Sequence, residues 1–436
     1  MSRVTPRVLK GFRDYLPDLM VSRERMLSVV TSVFESFGFT PLATPALEYT
    51  EILTGKYGTE GDKLLYRFED NGGRDVSLRY DLTVPLARVV GQNANLPRPF
   101  RRYQVAPVWR AEKPARGRFR EFVQCDVDIV GTGSLLADFE CMQVGVSVLR
   151  ELGVHDFEMR INDRRVLDGL MSRLGILDEK MKQEVLRSVD KLPKIGWDKV
   201  KVELEAKLDL SDDGYTALHT FLHGNLADVD ESVVDMEIAA PGIEALNQLM
   251  TWAKSVGIHE QLVIDLSIAR GLDYYTSTIY ETFLGALPGF GSVMSGGRYD
   301  DLLGLFSKGD IPAVGISLGV DRLLAGLIEL DLVGSEHADS DVFVTVFDED
   351  TTEYAMQVAT AFRRGGIRTR LHLEAGQKMG KQFKAAARSG APFVVVAGPG
   401  EQEQQVVRVK DMETGEQSEV SVDQAIDFVR SKLESK

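Results

Sequence analysis

The sequence predicts an α+β protein of several domains, and three observations carry that reading. Over residues 39–130, short apolar or alternating runs flank turn residues, as paired strands do. The stretch 164–260 is richer in Lys, Asp and Glu and holds few strand signals. Beyond a polar linker at 331–340, strand-like runs alternate with helical ones, the pattern of a small α/β domain with a mostly parallel sheet. A length of 436 residues fits about three domains at roughly 150 residues each.

The elements follow in order. Met26, Val30, Val33 and Phe37 share one helical face and Gly38 supplies a stop, so a helix is expected over 22–37. Pro41 and Pro45 hold 39–47 extended. Strands at 64–68 and 75–80 flank the turn Asp70-Asn71-Gly72-Gly73, and a short helix follows over 82–90. The runs 100–109 and 122–130 flank a basic connector and read as a hairpin with a charged loop. A periodic helix over 135–152 ends at Gly153. After the helical insertion, strand signals resume at 262–268 and 274–283. The Gly-rich 284–297 turns back into another strand, and 311–318 leads into a helix over 319–330. In the last domain, strands at 342–347, 367–373, 393–397 and 405–410 accompany helices at 352–364, 380–390 and 422–433.

Composition excludes several classes. Apolar residues at 44% and charged residues at 27% are those of an ordinary globular chain. There are 51 basic and 66 acidic residues, a net charge of -15, so this is no generic polyanion binder. Any nucleic-acid surface must be a local basic island, and two exist. Residues 98–120 hold eight basic residues against Glu112, and 363–388 hold eight against Glu374. A solvated face is the ordinary reading of one such run; two in an acidic chain suit a polyanion that touches two places. Two cysteines, Cys125 and Cys141, argue against a disulfide scaffold or thiolate zinc site and for a reducing compartment. The six histidines show no metal-binding spacing. Residues 1–17 do not read as a signal peptide, and no run is long and apolar enough for a membrane helix, so a cytoplasmic location is expected.

Three stretches carry chemistry. The first is Leu78-Arg79-Tyr80-Asp81-Leu82-Thr83 with Val108-Trp109-Arg110-Ala111-Glu112. The second is Ala269-Arg270-Gly271-Leu272-Asp273-Tyr274-Tyr275. The third is Ser295-Gly296-Gly297-Arg298-Tyr299-Asp300, with Gly319-Val320-Asp321-Arg322-Leu323 downstream. Together they resemble the histidyl-tRNA synthetases, a family of class II aminoacyl-tRNA synthetases. The resemblance covers essentially the whole chain, from Lys10-Gly11-Phe12-Arg13-Asp14-Tyr15-Leu16-Pro17 onward. Tyr80-Asp81-Leu82, where many bacterial members carry Pro-Glu-Gly, resembles the eukaryote-type branch, as does Ser188-Val189-Asp190-Lys191-Leu192.

The resemblance implies an antiparallel-sheet catalytic core split over 1–163 and 261–330, a helical insertion at 164–260, and an anticodon-binding α/β domain at 341–436. It implies ATP with Mg²⁺, L-histidine and tRNA-His as partners, and a homodimer formed through the 22–37 helix and the strand through Pro45. The reaction would join histidine to the α-phosphate of ATP, releasing pyrophosphate, and then pass it to the tRNA 3′ end. Negative charge builds on phosphate oxygens in the first step, and arginine's planar fork suits it. By resemblance, Arg110 and Arg270 are catalytic, and Arg110, Glu112 and Arg322 bind ATP. Asp81, Thr83, Gln124, Asp128, Arg270, Tyr274 and Tyr275 would bind histidine, Asp128 and Tyr275 on its ring. Gly296, Gly297 and Arg298 would form a close-approach turn beside it. Lys113, Arg116 and Arg118 would meet the acceptor end of the tRNA, and Arg363, Arg364, Arg368 and Arg370 the anticodon side.

Plainer roles stand beside these. Arg110 and Glu112 could be an exposed hairpin ion pair, Arg270 a structural partner of Asp265 or Asp273, and Arg322 a surface helix arginine. Asp81 could cap the following helix, Tyr274 and Tyr275 could be core aromatics, and the Gly296–Arg298 turn could be structural alone. The rival function is a histidine-sensing regulatory subunit of ATP phosphoribosyltransferase, which resembles the same core. Such regulators generally lose catalytic arginines and the C-terminal domain, and this chain has both.

Overall fold

A computed structural model gives the chain's fold and describes residues 4–57, 61–115, 117–269, 274–333 and 340–434. The chain divides into two compact units, Met1–Tyr15 with Arg23–Val333, and Leu16–Ser22 with Gly334–Lys436.

The larger unit is built on an eight-stranded sheet. Its strands are β1 (Thr40–Pro41), β5 (Phe100–Trp109), β6 (Glu121–Val130), β7 (Phe157–Asp163), β8 (Leu262–Ile264), β9 (Thr278–Leu284), β10 (Met294–Arg298) and β11 (Ala313–Gly319). Their order across the sheet is β1-β5-β6-β11-β10-β9-β7-β8. The edge pairs β1/β5 and β7/β8 are parallel and every pair between them is antiparallel. β5 and β6 are the expected hairpin, paired from Phe100↔Val130 to Trp109↔Glu121. The helix Leu135–Glu151 lies against the sheet, and Gly145 lets it come close. A Cβ there would stand 2.8 Å from Met159 Cε and 2.9 Å from Ile316 Cδ1.

A small second sheet pairs β2 (Leu47–Tyr49), β4 (Asp75–Leu78) and β3 (Arg67–Glu69) in that order. It delivers the chain to the helix Thr83–Gln92. Between β7 and β8 the chain is helical, from Arg164–Arg173 to Met236–Val256. Caps explain where these helices begin. Side chains of Asp163, Asp178, Ser211 and Asp235 accept the N–H groups of Arg165, Met181, Gly214 and Glu237. The last helix stops at Gly257, left-handed at φ 72°.

The expected strand over 262–268 ends early. Asp265 accepts hydrogen bonds from Ser267 N (2.9 Å) and Ser267 Oγ, a turn that breaks the ladder.

The smaller unit carries a five-stranded sheet of β12 (Val342–Val344), β13 (Thr369–Leu371), β14 (Phe393–Val396), β15 (Val406–Asp411) and β16 (Gln417–Ser421). The order is β13-β12-β14-β15-β16. Helices Thr352–Arg364 and Val422–Glu434 cover an apolar core that includes Val344, Val358, Phe362, Val395, Val409 and Val429. The expectation of a mostly parallel sheet needs correcting. β12 pairs parallel with β13 and β14, but β14/β15 and β15/β16 are antiparallel. The connection from β15 to β16 is a tight turn in which Asp411 Oδ1 accepts from Glu413 N and Thr414 N, and so short a link forces antiparallel pairing. β16 itself reads Gln-Ser-Glu-Val-Ser, too polar to announce a strand. Among the described residues, no helix is long and apolar enough to cross a membrane.

Candidate active site

A cavity of about 360 Å³ opens on the larger sheet. β6 supplies Phe122 and Gln124, β11 Ser317 and Gly319, β10 Met294 to Gly296, and β9 Tyr280 and Glu281. Tyr80 and Asp81 enter from the link between β4 and the next helix, Thr83 from the first position of that helix, and Tyr274 and Tyr275 from the chain before β9. Arg110, Glu112, Arg118 and Phe119 come from the hairpin connector, and Arg322 from the first turn of the helix Val320–Glu329.

Arg110 is held in place by aromatic rings. Its guanidinium lies 4.3 Å over the Tyr80 ring and 5.1 Å from the centre of Phe122, and its Nε donates to Tyr80 O at 3.1 Å. Glu112 stands 3.6 Å from Arg118. Arg322 Nη1 donates to Ser292 O at 2.7 Å.

The opposite wall is a carboxylate among tyrosines. Asp81 is buried and accepts from Tyr57 Oη (3.1 Å), Val84 N (3.1 Å) and Tyr274 Oη (3.5 Å). The bond from Val84 N supports the helix start, so capping and a place on the cavity wall coexist in one residue. Burial raises the Asp81 carboxyl above its usual range, against the pull of Val84 N–H and Arg110. Burial likewise pushes the Tyr274 and Tyr275 phenols up, so both are neutral hydrogen-bonding groups. Gln124 donates to Ser317 Oγ at 2.6 Å, while its Oε1 is buried without a hydrogen bond among the described residues.

Asp128 is not among the residues that line the cavity. Arg102 stands 2.6 Å from its Oδ2, Tyr299 donates to its Oδ1, and both partners are buried. Gly315, directly across the ladder, makes the room; a Cβ there would stand 2.1 Å from Asp128 Oδ1. Residues 124, 126 and 128 share one face of β6, so Asp126 sits between Gln124 and Asp128. Its carboxyl is pushed up to about 7, chiefly by burial and further by Asp128, with Arg102 opposing. The alternation from Gln124 to Asp128 was the signal that could have pointed to Asp126. A charged residue on an apolar alternating strand was the signal for Arg102.

The Gly296–Arg298 turn is a correction, because these residues form the body of β10. Glycine is required there by close backbone and ring contacts. A Cβ on Gly296 would stand 2.2 Å from Gly315 O and 2.4 Å from Tyr280 Cε2, and one on Gly297 2.6 Å from Thr278 O. Only Gly296 of the three lines the cavity. Arg298 points into the core, where its guanidinium pairs with buried Asp138. Cys125 is fully buried and its thiol is pushed up by desolvation, a packing residue with no nucleophilic character. Arg116 and Arg270 lie outside the described residues.

An antiparallel sheet that presents arginines from a hairpin and a helix start, with no glycine-rich phosphate loop among the described residues, defines the catalytic platform of a class II aminoacyl-tRNA synthetase. The comparisons with known proteins agree and narrow it. A family model described as histidyl-tRNA synthetase matches residues 11–323, and one described as an anticodon binding domain matches 341–432. Histidine–tRNA ligase of Rhodopirellula baltica is 46% identical over 426 residues, covering 96% of this chain and 96% of that one. The enzyme of that name from Clostridium tetani is 41% identical over 440 residues, 98% of this chain and 99% of its own. The crystal structure of histidyl-tRNA synthetase from Nostoc sp. PCC 7120 superposes with a TM-score of 0.86 at 32% identity, covering 99% of this chain and all of that one. The chain belongs to the histidyl-tRNA synthetase family.

Proposed function

We propose that this chain activates L-histidine with ATP and transfers it to the 3′ end of tRNA-His, with the cavity described above as the site of both steps. The observation that carries the reading is one cavity with a buried carboxylate and tyrosines on one wall and Arg110, Arg118 and Arg322 on the others. Asp81 takes the substrate ammonium, helped by Thr83 and the unpaired Oε1 of Gln124. Tyr274 and Tyr275 line the ring pocket, and Asp128 supports it from the layer beneath through Tyr299. A pocket that hydrogen-bonds its substrate rejects analogues lacking those groups by roughly 10⁴–10⁵.

Arg110 holds the α-phosphate and the substrate carboxylate, and its aromatic support keeps the guanidinium aimed before ATP arrives. Glu112 orients the adenine end, and Arg322 takes the γ-phosphate at a helix start, where anions are favoured. Arg270 acts on the α-phosphate as a second cation. The wall fits a Mg²⁺ that comes in with ATP. It holds the carboxylates Glu112, Glu281 and Asp321, Asp321 being taken by Arg13 and Val123 N, and among the described residues no three His, Cys, Asp or Glu side chains converge to cage a metal. Bound there, Mg²⁺ would supply charge neutralisation at the phosphates.

The helical residues 164–260 form an insertion into the catalytic core, 331–340 a linker, and 341–436 the anticodon-binding domain. Lys113, Arg116 and Arg118 meet the acceptor end of the tRNA, and Arg363, Arg364, Arg368 and Arg370 face its anticodon side. The enzyme works in the cytoplasm as a homodimer through the 22–37 helix. The test is histidine-dependent exchange of pyrophosphate into ATP without tRNA. Exchange with histidine and with no other amino acid supports the reading, and Arg110→Ala and Arg270→Ala should each lower exchange far more than they lower histidine affinity. Histidine binding without exchange in the unmodified chain would overturn it in favour of a regulatory subunit.

A further inference from the structure

The N-terminal segment from Lys10 to Tyr15 is strapped across the cavity rim. Gly11 O accepts from Arg120 N at 2.8 Å, and Arg120 also reaches Lys10 O (3.3 Å) and Glu112 O (3.0 Å). Gly11 is needed for this approach: its φ is 89°, and a Cβ would stand 2.7 Å from Arg120 Cδ and 3.0 Å from Pro114 Cγ. Two residues on, the Arg13 guanidinium lies 4.0 Å over the Phe119 ring and 4.3 Å over the Tyr15 ring. Its Nη2 donates to Asp321 Oδ1 at 2.6 Å, and Tyr15 Oη donates to the same oxygen. Asp321 is 2% exposed, and its Oδ2 accepts from Val123 N at 2.8 Å. Phe119, Asp321 and Arg322 all line the cavity.

One side chain thus joins two parts of the site. Phe119 belongs to the hairpin tip, which closes on itself through the bridge Ala115↔Arg118. Asp321 belongs to the first turn of the helix that presents Arg322. We propose that Arg13 is a positioning residue for ATP, tying the hairpin tip to the start of the helix Val320–Glu329 and so fixing Arg322 relative to the hairpin connector that carries Arg110 and Glu112. The proposal rests on the reading of Arg322 as an ATP contact. Arginine suits the post because its planar cation stacks on two rings while Nη2 donates to a carboxylate, whereas lysine offers a point charge with no plane to stack. A tip already fixed in the free enzyme avoids the ordering cost that a loose loop meets when ligand binds.

The test uses the full-length chain and its Arg13→Ala, Arg13→Lys, Phe119→Ala, Arg13→Ala/Phe119→Ala and Arg322→Ala variants. KM for ATP and kcat are measured by histidine-dependent pyrophosphate exchange, and histidine affinity by calorimetry without ATP. Arg13→Ala should raise KM for ATP about tenfold, the scale of one charge-assisted hydrogen bond with stacking, and leave histidine affinity within about twofold. Arg13→Lys should fall between it and the unmodified enzyme. The double variant should be within about twofold of the worse single one, because both changes cut the same tie. An unchanged KM for ATP in Arg13→Ala, beside a raised one in Arg322→Ala, overturns the strap alone. Equal losses of histidine and ATP affinity also overturn it, showing general distortion. An unchanged KM in Arg322→Ala overturns the reading of the ATP end and the strap with it. If Arg13→Ala does not fold, Arg13→Lys decides: it must raise KM for ATP.

Discussion

Replacing Arg102 with Met tests the charge balance beneath the cavity. Arg102 is fully buried, 2.6 Å from Asp128, and it is the main group holding down the carboxyls of both Asp126 and Asp128 against burial. Methionine fills similar space without the charge. Breaking a buried pair from one side typically costs about 3–5 kcal/mol. The stranded Asp128 escapes the penalty of a buried charge by taking up a proton. Holding a carboxyl of ordinary pKa ~3.9 neutral costs about 1.4 kcal/mol per pH unit above that value. The ceiling is then roughly 5–6 kcal/mol at pH 8 and roughly 2 kcal/mol at pH 5.5. The sign follows from linkage: loss of Arg102 raises both folded-state pKa values, so the folded variant binds more protons than the unfolded chain and loses stability as pH rises. Trp109, Trp197 and Trp252 are the protein's three tryptophans and all lie in the larger unit, so their fluorescence in urea reports that unit alone. The expected destabilisation is about 3–5 kcal/mol at pH 8 and no more than about 2 kcal/mol at pH 5.5. A cost below about 1 kcal/mol, or one equal at both pH values, would refute the argument. Adding Asp128→Asn should recover part of the loss, since it removes the orphaned charge.

Two further predictions use the same fluorescence. Gly296→Ala would force a methyl into Gly315 O and the Tyr280 ring, so the strands must part; the expected cost is about 1–3 kcal/mol or more, with loss of histidine binding in calorimetry, and a change under about 0.5 kcal/mol would count against the packing described. Asp126→Asn removes a carboxyl whose folded pKa of about 7 exceeds its unfolded value of ~3.9, so the native group's contribution is most favourable near pH 4 and is lost as pH rises toward 7. The Asn variant should therefore gain on the unmodified chain between pH 5 and pH 8, and parallel pH profiles of the two urea midpoints would contradict this.

Much of the larger unit was legible in the sequence because its signals were local. The strand Phe100–Trp109 alternates buried and half-buried residues from Arg102 to Val108, the strand Glu121–Val130 ends in an apolar run broken by Asp126 and Asp128, and helices open on Asp or Ser side chains that cap them. Even so, local periodicity drifts. In the first helix Met26, Val30 and Val33 are buried as expected, but Phe34 rather than Phe37 completes the buried face. What stayed hidden depended on contacts distant in sequence. Gly296-Gly297 reads as a turn until Gly315 O and Thr278 O are seen to crowd it from neighbouring strands. Arg298 carries a motif's charge yet is spent on Asp138, 160 residues away in the chain. Arg13 gave no sign of its partner, because Asp321 lies 308 residues on.

The basic islands show the same limit, and they lead to a last prediction. Of the first island, Arg101 pairs with Glu140, Arg102 with Asp128 and Arg118 with Glu112, while Arg110 stacks on rings inside the site. Of the second, Arg368 pairs with Asp341 at 2.5 Å and Arg363 donates to Thr369 O. The tally of eight cations therefore overstates what either island offers a polyanion. Lys378, Lys381, Lys384 and Arg388 differ: all four are exposed, and none forms an ion pair among the described residues. Spacings of three, three and four put them along one side of the helix Met379–Arg388 and its leading turn. If that stripe meets tRNA phosphates, replacing Lys381, Lys384 and Arg388 with Gln should weaken tRNA binding and leave pyrophosphate exchange unchanged. The slope of log affinity against log salt should fall by roughly 0.7–0.9 per lost contact, or about 2–3 for the triple variant. An unchanged slope would place the tRNA elsewhere on this unit and return the weight to Arg364 and Arg370.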